Sequence, residues 1–213
     1  MPFALVTCGP AFEPIDEVRR ITNQSTGELG TRLAESLSGC GFHVLCLRGE
    51  MAVYPRPKDV SVIAFSTNAS LLDILENLPE KPAAVFHAAA LCDFLLHRID
   101  GAERVRKIGS AVSQLHLILR PAEKILPRLR GFFPDAIIVG WKYELEHSRQ
   151  DAIARAREQI TRSKSNACVI NGSSYGPGFG FLTPQSEEPK DFASKSKLCN
   201  FLAAWTLDSL KHR

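Results

Sequence analysis

Short runs of consecutive apolar residues alternate along this chain with longer stretches in which apolar residues recur every three or four positions. The runs at 3–8, 42–47, 60–64, 83–89, 115–119, 136–139 and 167–170 predict strands. Several are apolar almost throughout, as a strand covered on both faces requires. Between the first two, Leu29, Leu33 and Leu37 fall at four-residue spacing and Gly39-Cys40-Gly41 ends the pattern, which predicts a first helix. Further helices are predicted over 68–78, 122–130, 148–163 and 194–211, the last with Leu198, Phe201, Leu202 and Trp205 in one apolar stripe. Strand and helix therefore alternate. That is the mark of βαβ units in a doubly wound, mostly parallel α/β sheet, whose ligands bind beyond the carboxyl ends of the strands.

Two stretches break the alternation. Residues 94–113 are charged and aperiodic and are expected to form a mobile loop, of the length that usually serves a function. Residues 172–190 contain four glycines and three prolines at Gly172, Gly176, Pro177, Gly178, Gly180, Pro184 and Pro189, and are expected to be irregular. The whole chain, 1–213, is expected to be one domain.

Composition narrows the partners. With 45% hydrophobic and 23% charged residues the chain is unlike disordered or fibrous sequences, and a net charge of +3 gives no bulk basis for nucleic-acid binding, so any anion must be held locally. No apolar run approaches the roughly 20 residues of a membrane span, and residues 2–7 lack the basic flank of a secretory signal, so a cytoplasmic protein with no membrane partner is expected. The six cysteines form no CxxC pair and are expected to be reduced structural thiols, and the six histidines show no metal-ligand spacing.

The first strand-to-helix connection carries the candidate chemistry. The GxGxxG turn of a dinucleotide-binding fold is missing; instead residues 11–24 intervene before Ser25-Thr26-Gly27-Glu28-Leu29-Gly30 opens the helix. Ser25 and Glu28 have capping-box spacing, and Gly30 permits close helix packing. A helix N-terminus preceded by Asn23 and Ser25 also offers backbone N–H groups, a positive dipole end and an amide to a phosphate.

VTCGPAFEPIDEVRRITNQSTGELG (6–30) resembles the pattern VTxGxTxxPIDxVRxIxNxSSGxMG of the phosphopantothenoylcysteine synthetase (phosphopantothenate-cysteine ligase) family, the synthetase domain of DNA/pantothenate metabolism flavoproteins. The likeness continues in order through HAAALCDF (87–94), RKIGS (106–110), the segment 115–126, GWKYE (140–144) and ACVIN (167–171). It implies a Rossmann-like domain that joins 4'-phosphopantothenate to cysteine in coenzyme A biosynthesis, with CTP or ATP and Mg²⁺ activating the carboxylate as an acyl-nucleotide. It also implies a homodimer, a separate flavin-dependent decarboxylase as partner and no flavin on this domain.

By this resemblance Asn23 holds the acyl-nucleotide intermediate and Lys107 acts from a mobile loop when the intermediate is consumed. Ser25 and Gly27 form the phosphate turn; His87, Ala88 and Ala89 form the wall for the base; Asp93 contacts the nucleotide. Arg120, Pro121, Ala122 and Glu123 lie beside the base, and Trp141 is the aromatic of the GFxxET pattern. Ala11, Phe12, Gly109, Gln159 and Ser163 depart from the pattern, the last two replacing lysines of CTP-using members on the late helix. Two alternatives stay open. One is a non-catalytic nucleotide-binding relative, suggested by those lost cations; the other is an NADP-dependent short-chain-type reductase, which Arg48 would permit and the missing GxGxxG and Tyr-x-x-x-Lys oppose.

Overall fold

The computed structural model describes residues 1–100, 106–109, 111 and 113–212; Ser110 of the RKIGS motif and part of the expected loop lie outside them. Six parallel strands form the body of the sheet: β1 (Phe3–Cys8), β4 (His43–Gly49), β5 (Ser61–Phe65), β6 (Ala84–His87), β9 (Ile137–Tyr143) and β10 (Ala167–Asn171). Antiparallel β11 (Phe179–Leu182) and β12 (Lys190–Phe192) extend it, giving the order β12-β11-β10-β9-β6-β1-β4-β5. The chain winds outward from β1 through β4 to β5, then returns to the other side of β1 at β6. The gap beyond β1 and β6 is thus the switch point where a doubly wound sheet binds its ligands.

Both faces of the sheet are covered. Ala4, Val6 and Cys8 of β1 face α1 (Glu28–Gly39) and α5 (Lys195–Lys211), meeting Leu33 and Leu37 from one helix and Leu198, Cys199 and Leu202 from the other. Leu5, Val85 and Ile138 face the opposite layer, with Leu71 and Leu75 of α2 (Asn68–Glu76) and Leu129 and Phe133 around α3 (Leu129–Phe132). α4 (Arg149–Ser163) lays Ala152, Ala156 and Ile160 on Cys168 and Ile170. The capping residues end these helices near where the sequence places them: Ser148 and Asp151 bond reciprocally, and Ser194 Oγ accepts the Lys197 N–H. All six cysteines are free thiols. Among the described residues no helix is long and apolar enough to cross a membrane.

The structure corrects several expectations. Residues 94–100 are not loop: β7 (Phe94–Asp100) pairs antiparallel with β8 (His116–Pro121), with a bulge between Leu96 and Arg98. The run predicted at 115–119 falls on β8, whereas β7 mixes half-buried and exposed positions without an apolar period and is unmarked in sequence. A second hairpin, β2 (Phe12–Pro14) with β3 (Arg20–Thr22), was likewise unmarked. Within 172–190, β11 is regular, and β12 begins at the last residue of that stretch. Gly180 is there because a Cβ would lie 2.1 Å from the Tyr175 hydroxyl, so its glycine signals close packing and not a turn. The helix expected over 122–130 shrinks to a 3-10 turn at Leu126–Arg128, with Pro127 in its first turn, running into α3. Ser25 and Glu28 form no capping box; α1 starts from left-handed Gly27 (φ 80°), and Thr26 Oγ1 accepts the Glu28 N–H.

Candidate functional site

A cleft of about 640 Å³ opens at the switch point. Its floor depends on glycines. Gly9 and Gly27 both have positive φ, and a Cβ on Gly27 would stand 2.9 Å from Ala52 Cβ and 3.4 Å from Gly9 Cα, so the 23–27 loop can lie on the end of β1 only because positions 9 and 27 have no side chain. A Cβ on Gly30 would meet Cys8 Cβ at 2.2 Å, which brings the start of α1 directly over β1. Asn23, Ser25, Gly27, Ala88, Ala89 and Trp141 line this cleft. Asn23 Nδ2 donates to the Leu91 carbonyl at 2.8 Å and so fixes the amide plane. The Ala88 and Ala90 N–H groups donate to Thr7 and Gly9 carbonyls, and that of Ala89 to Thr7 Oγ1. The segment after β6 is thereby a firm wall of methyl-sized side chains.

A second recess of about 170 Å³ adjoins it and is lined by His87, Asp93, Glu123, Ala89 and Trp141, with Gln159 opposite. Ala89 and Trp141 border both spaces. His87 is buried, with Nδ1 2.9 Å from Thr7 Oγ1, and burial pushes its pKa down to about 4, so it presents a neutral ring at neutral pH. Asn68 locks the neighbouring backbone by bonding both the N–H and the carbonyl of Cys92. Asp93 pairs with Lys124, while Glu123 joins Arg128 and Glu76 in a surface ion network. Trp141 Nε1 is buried with no hydrogen-bond partner, a donor left unpaired at the boundary of the two spaces. Gln159 Nε2 donates to the Trp141 carbonyl at 3.2 Å and lies against Cys168 Sγ at 3.3 Å, so it is bound to the sheet. Ser163, the other departure on α4, is buried and its hydroxyl has no partner.

The remaining expected residues do not line either space. Arg120 is exposed on β8 opposite Leu95, Pro121 ends that strand, and Ala122 donates its N–H to the Asp93 carbonyl. Lys107 is exposed, and its segment is held elsewhere: Asp16 accepts the Ile108 N–H at 3.1 Å, Arg19 donates to the Ile108 carbonyl, and Glu17 N–H donates to Arg106 O. Lys195, Tyr143 and Asn171 line the large cleft although the sequence did not single out their roles there. Lys195 pairs with Glu28, whose other oxygen accepts from Arg32 at 2.8 Å. Its only sequence signal was its place directly after the capping Ser194; the contact itself depends on α5 packing on α1. Among the described residues no three His, Cys, Asp or Glu side chains are grouped to hold a metal ion.

A profile of the DNA/pantothenate metabolism flavoprotein C-terminal domain matches residues 3–188. The coenzyme A biosynthesis bifunctional protein CoaBC of Thermococcus kodakarensis is 35% identical over 170 residues, 78% of this chain and 40% of that protein. The chain thus spans less than half the length of that relative. In fold, the DNA/pantothenate metabolism flavoprotein of Streptococcus pneumoniae superposes with a TM-score of 0.84 at 20% identity, covering 100% of this chain and 99% of the other. A Cab2 mutant solved in complex with phosphopantothenate-cysteine superposes with a TM-score of 0.75 at 18% identity, over 99% and 88% of the two chains. The long ordered likeness and the shared architecture lead to one conclusion: this chain belongs to the family of DNA/pantothenate metabolism flavoprotein C-terminal domains.

Proposed function

We propose that this domain is a phosphopantothenate-cysteine ligase of coenzyme A biosynthesis. The observation that carries the reading is the switch-point cleft, in which Asn23 with its anchored amide, the Ser25–Gly27 turn and the Ala88–Ala89 wall converge. The bifunctional relatives and the complex of the Cab2 mutant supply the substrate class. In this reading the carboxylate of 4'-phosphopantothenate attacks the α-phosphorus of CTP or ATP and pyrophosphate leaves. The cysteine amine then attacks the acyl carbon, loses a proton and displaces the nucleoside monophosphate. The chain's task is to align two anions and offset their charge, so positioning carries most of the catalysis.

The small recess suits the base: Ala89 admits a flat ring to the backbone, Trp141 offers a face and an unpaired donor, and neutral His87 adds no charge. Mg²⁺ would be held mainly by the oxygens of the triphosphate, whose charge it would offset. Lys107 acts from its loop in trans or after rearrangement, because its docked position is outside both spaces. We further propose a homodimer and a flavin-dependent decarboxylase as partner, in keeping with the bifunctional relatives.

The test is pyrophosphate release with Mg²⁺, 4'-phosphopantothenate and either CTP or ATP, each with and without cysteine. Release that depends on phosphopantothenate, with amide product only when cysteine is present, is the expected result, and the faster nucleotide names the co-substrate. Absence of release with both nucleotides, from folded protein, would favour a nucleotide-binding relative, with sheet-bound Gln159 and buried Ser163 as the reason.

A further inference from the structure

Among the described residues that line the large cleft, Lys195 is the one cation and Glu28 the one anion, and they are paired with each other. Glu28 has a second partner besides Lys195. Its second oxygen is held by Arg32 at 2.8 Å, one turn further along α1, and the Arg32 guanidinium is itself seated over the Tyr54 ring at 5.4 Å. One carboxylate therefore has two cations. Arg32 pairs within its own helix at i,i+4 spacing, whereas Lys195 reaches across from the first turn of α5 on a flexible four-carbon stem. If Lys195 turns away, Glu28 stays neutralised and the cleft gains a free ammonium beside the N–H groups that open α1.

We propose that Lys195 is a phosphate-binding residue of the large cleft, which leaves its pairing with Glu28 for phosphoryl oxygens when ligand enters. The chemistry recognised is a phosphate group. The ligase reading supplies two sources of it, the triphosphate of the nucleotide and the phosphomonoester of the acid substrate, and only the identity of that source rests on the reading. Lys195 also puts a positive charge where α4 gives none to this cleft, since Gln159 is tied to the Trp141 carbonyl and Ser163 is buried.

The test compares Lys195→Met, Lys195→Arg and Glu28→Gln with the unmodified chain in two assays. Calorimetric titration with inorganic tripolyphosphate needs no turnover. Lys195→Met is expected to weaken it by about tenfold, the loss of one charge-assisted bond, and Lys195→Arg to recover part of that. Glu28→Gln is expected to tighten it in the unmodified chain, because Lys195 is then released, and to lose most of that gain in the Lys195→Met background; an equal gain in both backgrounds would be the removal of a negative charge alone and would overturn the proposal. In the pyrophosphate-release assay Lys195→Met should raise one KM more than it lowers kcat: the nucleotide KM if the triphosphate is held, the phosphopantothenate KM if the monoester is. Unchanged KM values in an active Lys195→Met enzyme overturn the proposal. In a protein without ligase activity, tripolyphosphate binding that is absent or indifferent to Lys195 does the same.

Discussion

Single atoms decide several features of this site, and Gly30 is the clearest. A Gly→Ala change inside an exposed helix normally stabilises it by about 1 kcal/mol. At Gly30 the added methyl would stand 2.2 Å from Cys8 Cβ, so α1 must lift from β1, and we expect Gly30→Ala to destabilise by about 1–3 kcal/mol in urea denaturation. A stabilised variant would refute the close-approach reading. His87 makes a different prediction. Its folded pKa is about 4 while an unfolded histidine titrates near 6.5, so as pH falls from 6.5 to 4 the unfolded chain takes up a proton that the native state refuses. Stability must therefore drop over that window, by at most about 1.4 kcal/mol per pH unit from this group. His87→Gln should flatten the dependence of unfolding free energy between pH 7 and 5, and an unchanged slope would rule His87 out as its source. Asn23→Asp replaces a neutral anchored amide with a charge facing two anionic substrates. We expect ligase turnover to fall by about 10²–10³ with the urea midpoint kept, and near-normal turnover would remove Asn23 from the site.

At the scale of elements, legibility followed burial. Strands covered on both faces and helices with Ser148 or Ser194 at their starts stood out, because apolar runs, apolar stripes and caps are local signals. β7 did not, since Phe94, Arg98 and their neighbours obey no apolar period, and although the run at 115–119 marked β8, nothing local marked its pairing with β7. Nor did the docking of the Lys107 segment on the Asp16–Arg19 turn, which joins residues far apart in sequence. Asp16 organises that contact. Burial pushes its carboxyl up, but the N–H groups of Ile108, Val18 and Arg19 and the Arg19 guanidinium together hold it down to about 2. The charged form therefore persists at every pH above about 4, and the contact is lost only as pH falls towards 2. Asp16→Asn removes the charge and one acceptor oxygen. The Ile108 amide, which donates to Asp16 at 3.1 Å, is expected to be protected from hydrogen exchange in the unmodified chain at neutral pH and to exchange much faster in the variant. Equal protection would mean that Arg19 and Glu17 hold the segment without Asp16.

Across the whole molecule, the sheet's winding and the location of the cleft were readable because both follow from the alternation of elements, and Asn23, Ser25 and Gly27 lie in one local connection. Lys195 was not readable as a site residue: it comes to the cleft through the packing of the last helix on the first, where Leu198, Cys199 and Leu202 join Leu33 and Leu37. That same packing predicts how stability is distributed. α5 and β1 share one buried cluster, so their amides should exchange only through global unfolding. The β7–β8 hairpin contributes no described residue to any of the three buried clusters, although it bears the segment that leads to Lys107. Its opening therefore exposes little apolar surface and should require several kcal/mol less than global unfolding. Native-state hydrogen exchange in low urea distinguishes the two cases. Hairpin amides that exchange with little urea dependence, while those of α5 and β1 track global unfolding, would give Lys107 a support able to move without loosening the cleft. Hairpin amides as protected and as urea-sensitive as those of β1 would make the hairpin part of the cooperative core, and Lys107 could then reach a bound intermediate only from a second copy of the chain.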